Sequence, residues 1–120
     1  MQVFNSFEEL KKQKFKDTAL VIGNFDGVHL GHHKLFVKTQ EMAPQATKVV
    51  ITFSPHPAKF FSHKPYPLLS SREEQVEIFK RLGIDIVFFM PFDQKMAELE
   101  PEEFIEKVVV PFFDPACIVV

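Results

Sequence analysis

Apolar and polar positions alternate along this chain in two distinct rhythms. Four short, nearly continuous apolar runs read as strands. Thr18 to Gly23 is the first, around the wholly apolar Ala19-Leu20-Val21-Ile22. Lys48 to Phe53 is the second, and its β-branched, uninterrupted character suits a strand buried on both faces. Ile84 to Met90, closed by Pro91, is the third, and Ala116 to Val120 begins a fourth. Between them the spacing becomes helical. Lys34 to Thr39 forms the body of a helix that runs to about Met42 and is stopped by Pro44. A second helix starts behind Ser70 or Ser71, carries Glu73 and Glu74 in its first turn, and ends at Gly83. Its Val76, Phe79 and Leu82 recur every third position on one face. Pro101 opens a third, amphipathic helix over Glu102 to Val109. Asn5 or Ser6 caps a short helix over Glu8 to Lys11 near the start. Strands separated by helical crossovers predict an α/β fold, a parallel sheet with helices on both faces.

Composition narrows the class. At 46% hydrophobic residues the chain packs a core, and 15 phenylalanines with no tryptophan make that core strongly aromatic. A net charge of −2 argues against nucleic acid or an anionic membrane surface as partner. No apolar run approaches the roughly 20 residues that span a bilayer, and the first residues lack a secretory leader pattern. The expected setting is cytoplasmic; oligomeric state is not encoded legibly. The single Cys117 excludes an internal disulfide and reads as a buried, inert residue. The basic segment Lys11 to Lys16 reads as a solvated face. The last strand breaks off without a polar tail, which reads as a fragment of a longer protein.

The chemistry concentrates in one turn. Gly23-Asn24-Phe25-Asp26-Gly27-Val28-His29-Leu30-Gly31-His32 joins the first strand to the first helix and holds three of the four glycines. Ligands in open α/β sheets bind at the carboxyl ends of strands, and a helix that starts there offers free N–H groups and a positive dipole end to phosphate. His29 and His32 would donate hydrogen bonds to oxygens that gain charge during transfer at phosphorus. A parallel sheet brings Asp26, His29, His32, His56 and Asp93 to the same edge. Bland readings stand beside these. The glycines alone suit a tight turn and a close helix–strand contact. His33 faces solvent, and His63 belongs to a surface loop. His56 is as readily structural as functional, Asp93 suits an N-cap, and Phe60-Phe61 suits a core anchor. The Pro-rich run Ser54 to Pro67 is a long loop, a class that is often functional. Zinc fits poorly, because a helical metal pair is spaced by four rather than three and no cysteine cluster accompanies it.

On these residues the chain resembles a known family. His29-Leu30-Gly31-His32 is similar to the two-histidine signature of nucleotidyltransferases. The longer turn resembles the FMN adenylyltransferase module of bacterial bifunctional riboflavin kinase/FAD synthetases. Related pantetheine-phosphate and glycerol-phosphate enzymes typically carry proline at the place of Gly27. Thr52-Phe53-Ser54-Pro55-His56-Pro57 is similar to the family's second motif, and Leu68 to Gly83, Pro91-Phe92-Asp93 and Glu100 to Phe104 match later blocks. The resemblance implies a Rossmann-like nucleotidyltransferase fold, with residues 1–120 forming an incomplete FMN adenylyltransferase domain and the riboflavin kinase domain absent. It implies ATP and FMN as substrates, Mg²⁺ bound largely through phosphates, and FAD and pyrophosphate as products. By the same likeness His29 and His32 are catalytic, and Gly23, Asn24, Phe25, Asp26, Gly27 and Gly31 complete an ATP pocket. Phe53, His56 and Phe61 face the flavin, and no residue is assigned to a metal. Ser54 stands where an acid is common, and Met96 and Glu100 replace a frequent Phe and Ser. Two motifs expected beyond the fourth strand are missing, an Asn/Asp-Phe-x-Phe-Gly segment and a Ser-Ser-Thr-x-Arg-like motif that helps hold the triphosphate, so the 120-residue piece is expected to be nearly inactive alone. Transfer to another phosphate ester, and a non-catalytic nucleotide- or flavin-binding module, remain as alternatives.

Overall fold

A computed structural model of the protein describes residues 1–25, 30–54 and 71–120, with the backbone alone at 30–32. The described residues form one parallel sheet of five strands: β1 (Gln2–Phe4), β2 (Thr18–Ile22), β3 (Thr47–Ser54), β4 (Ile86–Pro91) and β5 (Pro115–Val119). Their order is β1-β4-β3-β2-β5, and every neighbouring pair runs parallel. Numbered from β2, four of these strands follow the 3-2-1-4 order of a Rossmann-type sheet, with β1 added at the outer edge. The helices are α1 (Phe7–Lys11), α2 (Leu30–Met42), α3 (Arg72–Arg81), α4 (Gln94–Glu98), α5 (Pro101–Phe104) and α6 (Val110–Phe113), with a π-helical turn at Ile105–Val109 joining the last two.

Strand periodicity sorts the core into two layers. Leu20 and Ile22 of β2, Val49 and Ile51 of β3, and Ile86, Phe88 and Met90 of β4 face one side. Val21, Val50, Val87 and Phe89 face the other. Successive residues of a strand point to opposite faces, so an apolar run without gaps must be covered twice. Leu10 of α1, Val109 and Phe113 cover the first face; Phe36 of α2 and Phe79 of α3 cover the second. The phenylalanines carry both layers. Phe88 and Phe113 meet at 6.3 Å on one side, and Phe36 and Phe79 at 5.9 Å on the other.

The helix signals operate as read, with some corrections. Ser6, not Asn5, caps α1: its Oγ accepts from the N–H of Glu9 at 3.2 Å. Ser71 caps α3 in the same way through Glu74 at 3.1 Å. Gly83 has φ of +80°, the left-handed conformation that ends a helix at least cost in glycine. Val76 and Leu82 pack beside Phe79 as the spacing requires. The sheet has five strands rather than four, because Gln2–Phe4 pairs with β4 at the edge. The C-terminal helical stretch runs on past Val109 to Phe113. Within the basic Lys11 to Lys16 segment, Phe15 turns inward and stacks on Phe113 at 5.5 Å. Cys117 is partly exposed rather than buried, since it lies on edge strand β5. No helix among the described residues is long and apolar enough to cross a membrane.

Candidate active site

The order of the strands fixes where a crevice opens. From β2 the chain crosses to β3 on one side, while β5 pairs with β2 on the other. A ligand crevice forms outside the carboxyl ends of the strands at such a reversal of order. The glycine-rich turn begins at this point. The N–H of Gly23 donates to the carbonyl of Ile51 at 3.1 Å, which carries the β2–β3 ladder one residue beyond the strand. Asn24 is exposed. Phe25 then returns to the core at 1% exposure, with its ring 5.5 Å from Phe36 and 5.8 Å from Phe79.

Gly23 owes its identity to that ring. A Cβ at position 23 would stand 2.9 Å from Cζ of Phe25, and the buried ring has no space to swing into. The glycine serves close approach of side chain to backbone. Phe25 packs against Gly23 on one side and the rings of α2 and α3 on the other. Gly31 and His32 belong to the first turn of α2, which starts at Leu30. Asp26, Gly27 and His29 lie outside the described residues. His33 is exposed, as its spacing suggests.

A second corner forms where β3 and β4 end. β3 extends through Ser54, paired with Pro91, and the N–H of Phe92 donates to the Ser54 carbonyl at 3.4 Å. Phe53 is half-buried and meets Phe92 edge-on at 5.5 Å and Phe104 at 6.1 Å. Three half-buried rings thus gather at the same edge as the glycine turn. Asp93 is engaged structurally: its Oδ1 accepts from the N–H of Met96 at 2.9 Å and caps α4. His56 and Phe61 lie outside the described residues.

Sequence reading missed Arg72, the first residue of α3. Its Nη1 donates to Oδ1 of Asn5 at 2.6 Å and its Nη2 to Oγ of Ser54 at 2.5 Å. Its Cζ lies 4.5 Å from the centre of the Phe89 ring. Nothing local in the sequence signals this, because Asn5 is 67 positions away. Among the described residues no three His, Cys, Asp or Glu side chains gather into a cation site.

Residues 11–120 match the family model of FAD synthetase. The chain is 30% identical over 105 residues to the bifunctional riboflavin kinase/FMN adenylyltransferase of Bacillus subtilis, covering 84% of this chain and 33% of that protein. The Listeria monocytogenes protein of the same name is 34% identical over 96 residues, covering 77% of this chain and 31% of its own length. The chain therefore spans about a third of the length of these curated relatives. Among solved structures, a Streptococcus pneumoniae protein described as a macrolide-efflux protein superimposes with a TM-score of 0.80 at 25% identity, over 99% of this chain and 48% of that one. Pantothenate synthetase from Thermus thermophilus superimposes with a TM-score of 0.57 at 22% identity, over 87% of this chain and 36% of its own. It shares the fold.

Proposed function

The chain belongs to the FAD synthetase family, and from that membership we propose that it supplies the adenylyl-transferring site of an FMN adenylyltransferase. The carrying observation is the glycine-rich turn leaving β2 at the switch point of the sheet, beside an aromatic corner on the same edge. ATP would lie over the turn, with Gly23, Asn24, Asp26, Gly27 and Gly31 shaping its pocket and Phe25 supporting it from below. FMN would lie toward Phe53, with His56 and Phe61 as further flavin contacts.

In the reaction an oxygen of the FMN phosphate attacks the α-phosphorus of ATP. A new P–O bond forms, the bond from the α-phosphorus to the bridging oxygen breaks, and pyrophosphate leaves with the electron pair. No protein nucleophile takes part. His29 and His32 would hydrogen-bond the oxygens on which charge develops, while the backbone positions the reactants. The described residues offer no cage of their own for a metal. Mg²⁺ would arrive on the ATP phosphates, as this ion commonly does, and would offset their charge.

The intact protein, incubated with ATP, Mg²⁺ and either FMN or glycerol phosphate, tests the reading. Formation of FAD and pyrophosphate with FMN is expected, and consumption of the other ester with no FAD would reject it. His29→Ala and His32→Ala should each lower kcat about a hundred- to a thousandfold, as loss of a charge-stabilising donor does; unchanged rates would remove both from the mechanism.

A further inference from the structure

We propose that Arg72 is a positioning residue for the acceptor half of the site: its guanidinium joins the ends of β1 and β3 across the Phe89 ring of β4 and fixes the end of β3. The proposal rests on the adenylyl-transfer reading above. Arginine presents its donors in a rigid planar fork. Here one arm of the fork takes Asn5, just past β1, and the other takes Ser54, the last residue of β3. The plane's centre sits against Phe89, a buried ring of β4. These three strands are neighbours in the order β1-β4-β3, so one side chain spans three adjacent strands.

Each partner is itself held. The N–H of Asn5 donates to Oε2 of Glu9 at 3.4 Å, and Glu9 is fixed in turn by the Ser6 cap. Ser54 is gripped from two sides, its carbonyl by the N–H of Phe92 and its hydroxyl by Arg72. Phe92 is the ring that meets Phe53. Among the described residues the hydrogen-bond partners of Arg72 are two neutral oxygens, and the ion pairs join other side chains. Ser54 and Arg72 also bracket, in sequence, the run 55–70 that contains His56 and Phe61. The bond between them holds Ser54 and Arg72 to one point at the edge of the sheet.

Steady-state kinetics on the intact protein, with ATP and FMN varied separately, read this role. Arg72→Ala should raise the KM for FMN roughly tenfold, the size of one charge-assisted hydrogen bond, and leave the KM for ATP unchanged. Ser54→Ala should move the same constant in the same direction by less. Arg72→Lys should fail to restore the wild-type value, because a single ammonium does not reproduce the fork. Hydrogen exchange gives a readout independent of turnover: the Phe92 amide should exchange faster in Arg72→Ala, while that of Val21 in β2 keeps its protection. An unchanged KM for FMN in Arg72→Ala would overturn the proposal, as would equal rises in both KM values with loss of protection across the sheet. If the wild-type protein forms no FAD, the adenylyl-transfer reading falls. The exchange experiment then still decides whether Arg72 holds the end of β3, and unchanged exchange at Phe92 would refute that.

Discussion

At the carboxyl end of β2 the chain is held by a buried ring pressed against a glycine; at the ends of β3 and β4 it is held by a guanidinium and a cluster of half-buried rings. The first corner depends on residues two positions apart, Gly23 and Phe25, backed by the core layer of Phe36 and Phe79. The second depends on residues far apart in sequence, joined by hydrogen bonds and ring edges that remain partly open to water. A nucleotide triphosphate needs backbone groups held rigidly, because its recognition is by geometry around phosphate. A flat aromatic acceptor needs apolar surface that stays accessible until it binds. The difference in construction matches the difference between the two proposed ligands.

Substitutions should separate the corners by size of effect. Phe25→Ala should be the most damaging, with a loss of about 3–5 kcal/mol, the usual cost of deleting a core phenylalanine; chemical denaturation would measure it, and a loss of a few tenths would show that the ring supports little. Gly23→Ala should follow at about 1–3 kcal/mol, because the new methyl meets a ring that cannot withdraw. A neutral Gly23→Ala would mean that the turn yields easily. In the second corner, Asp93→Ala should cost only about 1 kcal/mol, the worth of an N-cap, with a thermal midpoint only slightly lowered.

The smallest effect is a titration. The hydrogen bond from Lys107 at 3.1 Å, then the backbone N–H of Glu100, hold the Glu103 carboxyl below its ordinary value. A lowered pKa in the folded state means that Glu103 adds stability above the unfolded glutamate pKa. That contribution fades as pH falls through the lowered folded value. The carboxylate stays open to solvent, so the effect is slight. Glu103→Gln should narrow the difference in stability between neutral and acidic solution; an unchanged pH profile would mean that solvent screens the pair completely.

One corner was legible in the sequence, the other only in part. Strand β2, its glycine turn and α2 follow from continuous apolar character, glycine spacing and a helical pattern, all local signals. The caps at Ser6, Ser71 and Asp93 were readable for the same reason. Strand β1 was missed because three residues at an edge, with only Phe4 fully buried, carry no periodicity. Its partner β4 lies more than eighty positions on. The helix that Pro101 opens was expected to end at Val109, yet it continues past Pro111, whose ring would clash with the carbonyl four residues back in a regular α-helix. The π-helical turn at Ile105–Val109 widens the backbone there and lets helical geometry continue to Phe113. Arg72 was invisible because its partners are set by the strand order and not by spacing along the chain.

In the proposed arrangement, two corners of one sheet edge hold two different substrates. Calorimetric titration of ATP and of FMN, each alone, into the intact protein and its Gly23→Ala and Phe53→Ala variants addresses it most directly. Gly23→Ala should weaken ATP binding and spare FMN, and Phe53→Ala should do the reverse. Both ligands weakened alike by either change, or FMN untouched by Phe53→Ala, would contradict it.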